Sequence, residues 1–128
     1  MFKYYQTQFI MLINLTNHPS ARWSEKQKAA ADEFGEIVDV PFPQVEASAD
    51  EQIVKSLAKE YLEKIKKIVG DNPVVVHVMG EMTFTYSLVS LLKAEDIVCV
   101  ASTSERIVNE IENGKKEVVF QFNRFRRY

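Results

Sequence analysis

A single cysteine, Cys99, rules out an internal disulfide framework and a cysteine-rich zinc site. It sits in an apolar run, where a buried, inert thiol is expected. The four glycines form neither a G-x-G-x-x-G nor a Walker A pattern, which disfavours a dinucleotide or NTP site. No apolar run is long enough to span a bilayer. Residues 1–9 lack the uninterrupted hydrophobic segment of a signal peptide. A cytoplasmic protein with no membrane partner is the default expectation. There are only two histidines, and His77 falls in the middle of an apolar strand, so neither a metal site nor a cofactor is expected. A net charge of −2 gives no support for binding duplex DNA.

At 128 residues, 46 % of them hydrophobic, the chain suits one globular domain with its own core. Met11 is a candidate start, which would make residues 1–10 an N-terminal extension and 11–128 the domain. Strands and helices alternate throughout. Phe9–Leu15 reads as a buried strand. Ser24 and Gln27 form a capping-box pattern that opens a helix, and Gly35 closes it. Glu36–Val40 is a second strand, stopped by Pro41 and Pro43. Ser48 and Glu51 form another capping box. The following helix places Ile53, Leu57, Tyr61 and Ile65 on one face and ends at Gly70. Pro73–Met79, with its run of valines, reads as a strand buried on both faces. A helix over about Glu81–Lys93 carries Phe84, Leu88, Leu91 and Leu92, and Ile97–Ala101 is a fourth strand. Asn113-Gly114 is a strong hairpin signal, followed by the alternating Val118, Phe120 and Phe122. These patterns predict an α/β fold, mainly parallel, with a C-terminal antiparallel β-hairpin.

Ligands of such sheets bind outside the carboxyl ends of the strands. Three polar segments are expected there: Thr16–Trp23, Gly80–Thr83 and Ser102–Arg106. With strand order 2-1-3-4 the first two flank one crevice. The first segment is the richest, with Thr16, Asn17, His18, Ser20, Arg22 and Trp23. His18 is either a loop histidine bonded to a carbonyl or a ligand donor or acid/base near neutral pH. Gly80 either admits a ligand to the backbone or simply makes a tight turn. Glu81 is either a carboxylate suited to a helix start or a nucleophile or base, and Thr83 a cap or a hydroxyl donor. Arg22 and Arg106 are candidate phosphate clamps. Three of the five arginines lie in the last five residues, interleaved with aromatics. That composition fits either single-stranded nucleic acid or a charged edge strand.

Gly80-Glu81-Met82-Thr83-Phe84-Thr85-Tyr86, Ala101-Ser102-Thr103-Ser104-Glu105-Arg106, the Asn113-Gly114 hairpin and terminal Phe125-Arg126-Arg127-Tyr128 resemble the small CRISPR-associated Csx-type proteins. These are single CARF-like domains with a Rossmann-like three-layer fold. Asn14-Leu15-Thr16-Asn17-His18-Pro19 and Ser24-Glu25-Lys26-Gln27 resemble that family's first strand, its Ser-His-containing loop and its Gln-bearing first helix. The loop is longer here, with Pro19 and Trp23 added. The resemblance covers nearly the whole chain from Met11. It implies a homodimer that binds cyclic oligoadenylate across its two-fold axis. It further implies a ring nuclease that cuts without metal, a ribose 2′-hydroxyl attacking the adjacent phosphate. By motif position Gly80, Glu81, Met82 and Thr83 would face the ring, with Ser102, Thr103, Glu105 and Arg106 beside it and Thr16, Asn17 and His18 opposite. Within that reading His18, Glu81 and Thr83 are the catalytic candidates. Three alternatives stand beside it. One is a sensor that binds the ring without cutting it. Another is a nucleoside deoxyribosyltransferase-like enzyme with Glu81 as nucleophile, and the third an interaction protein that adds its edge hairpin to a partner's sheet.

Overall fold

A computed structural model describes residues 9–128. The extension expected at the N-terminus falls, for residues 1–8, outside the described residues. The strands are β1 (Met11–Leu15), β2 (Glu36–Asp39), β3 (Val74–Val78), β4 (Val98–Glu110) and β5 (Lys116–Arg127). The helices are α1 (Glu25–Asp32), α2 (Glu51–Val69) and α3 (Met82–Ala94). One sheet runs β2-β1-β3-β4-β5, parallel except for the antiparallel β4–β5 pair. This is the expected Rossmann-like, three-layer α/β architecture. α2 and α3 cover one face through Ile13, Leu15, Val76, Val78, Phe84, Leu88 and Ile65. On the other face Leu12 packs with Trp23, Ala31, Phe34, Ile37 and Phe125. β3 is buried along its whole length, as a strand covered on both faces must be.

Local chemistry sets most boundaries. Ser24 caps α1 by accepting the Gln27 N–H. Gly35 has φ +104° and faces the Ile10 carbonyl, which a Cβ there would strike at 2.4 Å. Only glycine satisfies both conditions where the chain turns into β2. Asn113 and Gly114, both at positive φ, turn β4 back into β5.

Three expectations are corrected. The cap of α2 is Asp50, not Ser48: its carboxylate accepts the Ile53 N–H at 3.0 Å, two residues closer to the helix. Asp50→Ala is therefore expected to lower stability by about 1 kcal/mol in denaturant unfolding, and Ser48→Ala to leave it unchanged. The buried stripe of α2 is Val54, Ala58, Leu62, Ile65 and Val69. Ile53 is 57 % exposed, so the core-facing row is turned by one residue from the predicted row. Ser102–Arg106 is not a loop. β4 continues through it to Glu110 because β5 supplies an antiparallel partner along the whole arm.

β4 pairs with β3 only over Val98–Val100, so the rest of β4 and most of β5 form a two-stranded ribbon beyond the sheet. The ribbon leaves at a bulge. Thr103 faces Arg124 but Ser104 faces Phe122, which leaves Asn123 unpaired. Thr103 Oγ1 stitches the bulge, accepting the Arg124 N–H at 3.2 Å and donating to the Arg124 carbonyl at 3.1 Å. The extra residue puts Phe122 and Phe125, three apart, in ring contact at 5.1 Å. Among the described residues, no helix is long and apolar enough to cross a membrane.

Candidate functional site

A cavity of about 550 Å³ opens at the carboxyl ends of β1 and β3. The β1–α1 loop supplies Thr16, Asn17, His18, Arg22 and Trp23, and α1 contributes Ser24 and Gln27 from its start. His77, Met79 and Gly80 come from the end of β3. Ser102, Ser104, Phe120 and Phe122 line the ribbon side. One guanidinium and two imidazoles face this space, and among the described lining residues there is no carboxylate. The cavity therefore suits an anionic ligand with a flat apolar part.

Asn14 organises the floor. Its amide Nδ2 donates to Asp39 Oδ1 at 2.8 Å and to the His18 carbonyl at 2.9 Å. Its Oδ1 accepts from Thr16 Oγ1 and from His77 Nδ1, both at 3.0 Å. His77 Nε2 lies 3.1 Å from Ser102 Oγ. The His18 carbonyl also accepts the Trp23 indole N–H at 3.1 Å, and the Thr16 hydroxyl accepts the His18 N–H at 3.1 Å. The loop is thus shaped by Asn14 and Trp23 gripping the His18 carbonyl and Thr16 its N–H, which leaves the His18 side chain at the exposed rim. Trp23 is buried against the edges of His77 and Phe125. It fastens the loop to the sheet. Ser20 sits outside the cavity and binds Asp39 Oδ2 through its hydroxyl at 2.9 Å.

Burial, reinforced by the neighbouring His18, lowers the His77 pKa from 6.5 to about 4, so the ring is neutral at pH 7. Burial pushes the Cys99 thiol up to about 12, which keeps it protonated and unreactive, as expected.

The structure brings Thr16, Asn17, His18, Arg22, Gly80 and Ser102 together around one cavity. It separates the others from them. Glu81 caps α3, accepting the Phe84 N–H and the Thr83 hydroxyl at 2.7 Å each. Those bonds hold its carboxyl below the usual range. Met82 belongs to a shallow apolar depression with Tyr86, Val89 and Tyr128. Thr103 is engaged at the bulge, Glu105 bonds Asn123 on the facing strand, and Arg106 pairs opposite Phe120 on the ribbon. Gly80 is required by packing: a Cβ would enter the Phe42 ring at 2.2 Å.

Asn14 and the polar role of His77 were missed by sequence reasoning, which placed His77 in the core. It is in the core, at 2 % exposed, yet fully hydrogen-bonded. A signal existed. β1 and β3 each carry one polar residue, Asn14 two positions and His77 three positions before a polar segment, and parallel register sets them side by side. Phe120 was read only as strand alternation, whereas Phe122 was also read as the start of the aromatic–arginine tail; both line the cavity.

A protein-family model described as "Uncharacterized protein MJ1673 family" matches residues 10–126. Neither a curated protein nor a solved structure matches the chain.

Proposed function

The chain belongs to that MJ1673 family, and because the family's description names no activity, we propose a function from the site itself. The protein is a CRISPR-associated, CARF-like domain that binds cyclic oligoadenylate in the β1–β3 cavity. It cuts the ring by metal-independent attack of a 2′-hydroxyl on the adjacent phosphate. The observation that carries this reading is the lining of the cavity: Arg22 and His18 for a phosphate, Phe120 and Phe122 for a base, and no carboxylate among the described lining residues to repel the anion.

The volume supports a ring shared between two copies. Pockets of about 300–1,000 Å³ take one drug-sized ligand, and 550 Å³ accommodates a nucleotide unit rather than a whole ring. A ring therefore needs two cavities, which a homodimer about a two-fold axis supplies. The exposed Met82 and Tyr86, beside the cavity mouth at Met79 and Gly80, offer apolar surface for a second copy. Glu81, engaged as a helix cap outside the cavity, gives the deoxyribosyltransferase alternative no nucleophile in the site.

The test is incubation of the purified protein, in EDTA, with cyclic oligoadenylates of three, four and six units, followed by resolution of the products. Linear products ending in a 2′,3′-cyclic phosphate are expected. Tight binding with an intact ring would make the protein a sensor, and absence of binding to every ring would overturn the proposal. Arg22→Ala is expected to weaken binding roughly 10–100-fold, the loss of one charge-assisted contact to phosphate. His18→Ala that cuts at the wild-type rate would remove His18 from the chemistry.

A further inference from the structure

The buried chain of hydrogen bonds beneath the cavity has a direction, and acceptor chemistry fixes it. The Asp39 carboxylate and the His18 carbonyl can only accept, so the Asn14 group that meets both is its amide nitrogen. The opposite Asn14 oxygen can then only accept, so the His77 Nδ1 at 3.0 Å carries a hydrogen. In a neutral imidazole the other nitrogen is bare. That bare Nε2 faces the Ser102 hydroxyl at 3.1 Å. The hydroxyl has one hydrogen and two acceptors in reach, Nε2 and the Met79 sulfur at 3.2 Å, and an imidazole lone pair is much the stronger.

We propose that Ser102 is an activated hydroxyl and a catalytic residue of the cavity, with His77 as its base and Asn14 as the residue that orients the imidazole. Amide oxygen, imidazole and hydroxyl in this order are the arrangement by which a histidine, held in one tautomer by a third group, activates a nucleophile. The ring cannot turn away, because Trp23 and Phe125 pack edge-on against it at 5.6 and 5.2 Å between centroids. Ser102 lines the cavity, so the far end of the relay is open to a ligand.

In the cleavage step, which rests on the proposed function, Ser102 Oγ takes the proton of the attacking 2′-hydroxyl. Its own proton passes to His77 Nε2. The 2′-oxygen bonds to phosphorus and the bond from phosphorus to O5′ breaks. O5′ takes a proton from water, and His77 returns its proton to the hydroxide so formed. The products are a 2′,3′-cyclic phosphate and a free 5′-hydroxyl.

The test has one arm with oligoadenylate and two without. Ser102→Ala is expected to slow cleavage about 10²–10⁴-fold while the ring's Kd stays within about threefold. An alkyl fluorophosphonate is expected to label wild-type Ser102, its oxygen bonding to phosphorus as fluoride leaves. The labelling rate should persist well below pH 6.5, since the buried ring stays unprotonated to about pH 4. His77→Gln, checked for folding by circular dichroism, should lose the label. Nitrogen-15 spectra at pH 7 should show His77 protonated at Nδ1 and bare at Nε2, with Nε2 shifted in Ser102→Ala. A proton on Nε2, an unlabelled Ser102, or cleavage by Ser102→Ala at the wild-type rate overturns the proposal. A protein that takes the label at Ser102 yet cuts no ring upholds the activated hydroxyl and overturns the oligoadenylate reading instead.

Discussion

Lowering the pH from 7 to 4 is expected to cost this fold roughly 3 kcal/mol through His77 alone. The group's pKa is 6.5 when unfolded and about 4 when folded, because burial penalises the charged ring. Between those values the unfolded chain binds the proton more readily than the folded one. Stability is therefore full above pH 6.5, falls as the pH drops through the window, and changes no further from this group below about pH 4. The upper part of the window, pH 6.5 to 5, lies above the range in which ordinary carboxylates titrate. Urea unfolding at pH 7, 6, 5 and 4 measures the slope. His77→Gln has no proton to bind, so its slope between pH 6.5 and 5 should be flat even though its overall stability is lower. A slope that survives the substitution would show that the acid sensitivity lies elsewhere.

Phe84→Ala is expected to be the more damaging change, at about 3–5 kcal/mol. The ring has no exposed surface. It meets Phe42 edge-on at 5.2 Å and Tyr61 at 5.6 Å, so it joins α3, α2 and the segment after β2. Truncation removes the transfer energy of the ring and leaves a cavity among groups anchored in separate elements, which cannot close together around it. A fall in Tm of roughly 10–20 °C should follow for a chain of this size. Met82→Ala, two residues away on the same helix but 82 % exposed, should leave Tm nearly unchanged. Equal losses at the two positions would mean that α3 is packed differently.

The strands were legible because their signals are local. The valines of β3 have nowhere to go but a doubly covered strand, and Asn113-Gly114 fits almost nothing but a tight turn. The row of α2 that faces the core was not, because Ile53, Leu57 and Tyr61 are as apolar as Val54, Ala58 and Leu62. The tie is settled by how α2 lies against the sheet and α3, which the sequence of α2 does not contain. At the site, Thr16, His18 and Arg22 could be chosen from composition, since polar side chains at a strand's carboxyl end have few structural reasons to be there. Asn14 and His77 could not, because a polar residue inside an apolar strand reads as an exception until its partner is known. The two are 63 positions apart in sequence, and only strand register joins them. Ser102 was selected for the right surface but in the wrong conformation. A run of serine, threonine and charge suggests a loop, and only the partner strand shows it to be an extended edge.

The ribbon of β4 and β5 gives the molecule two mechanical parts. Past Val100, β4 has β5 as its one neighbour in the sheet, whereas β1 and β3 are flanked on both sides. Amide protons on the outer ribbon should exchange with solvent through local opening, long before those of β1 and β3, which wait for global unfolding. Phe120, Phe122 and Ser104 ride on the fast-opening part, while His77 and Asn14 stand on the slow one. One wall of the cavity can therefore swing on its bulge while the floor keeps its geometry. A large ligand can be admitted and released while Asn14 and His77, on the slow part, keep their register.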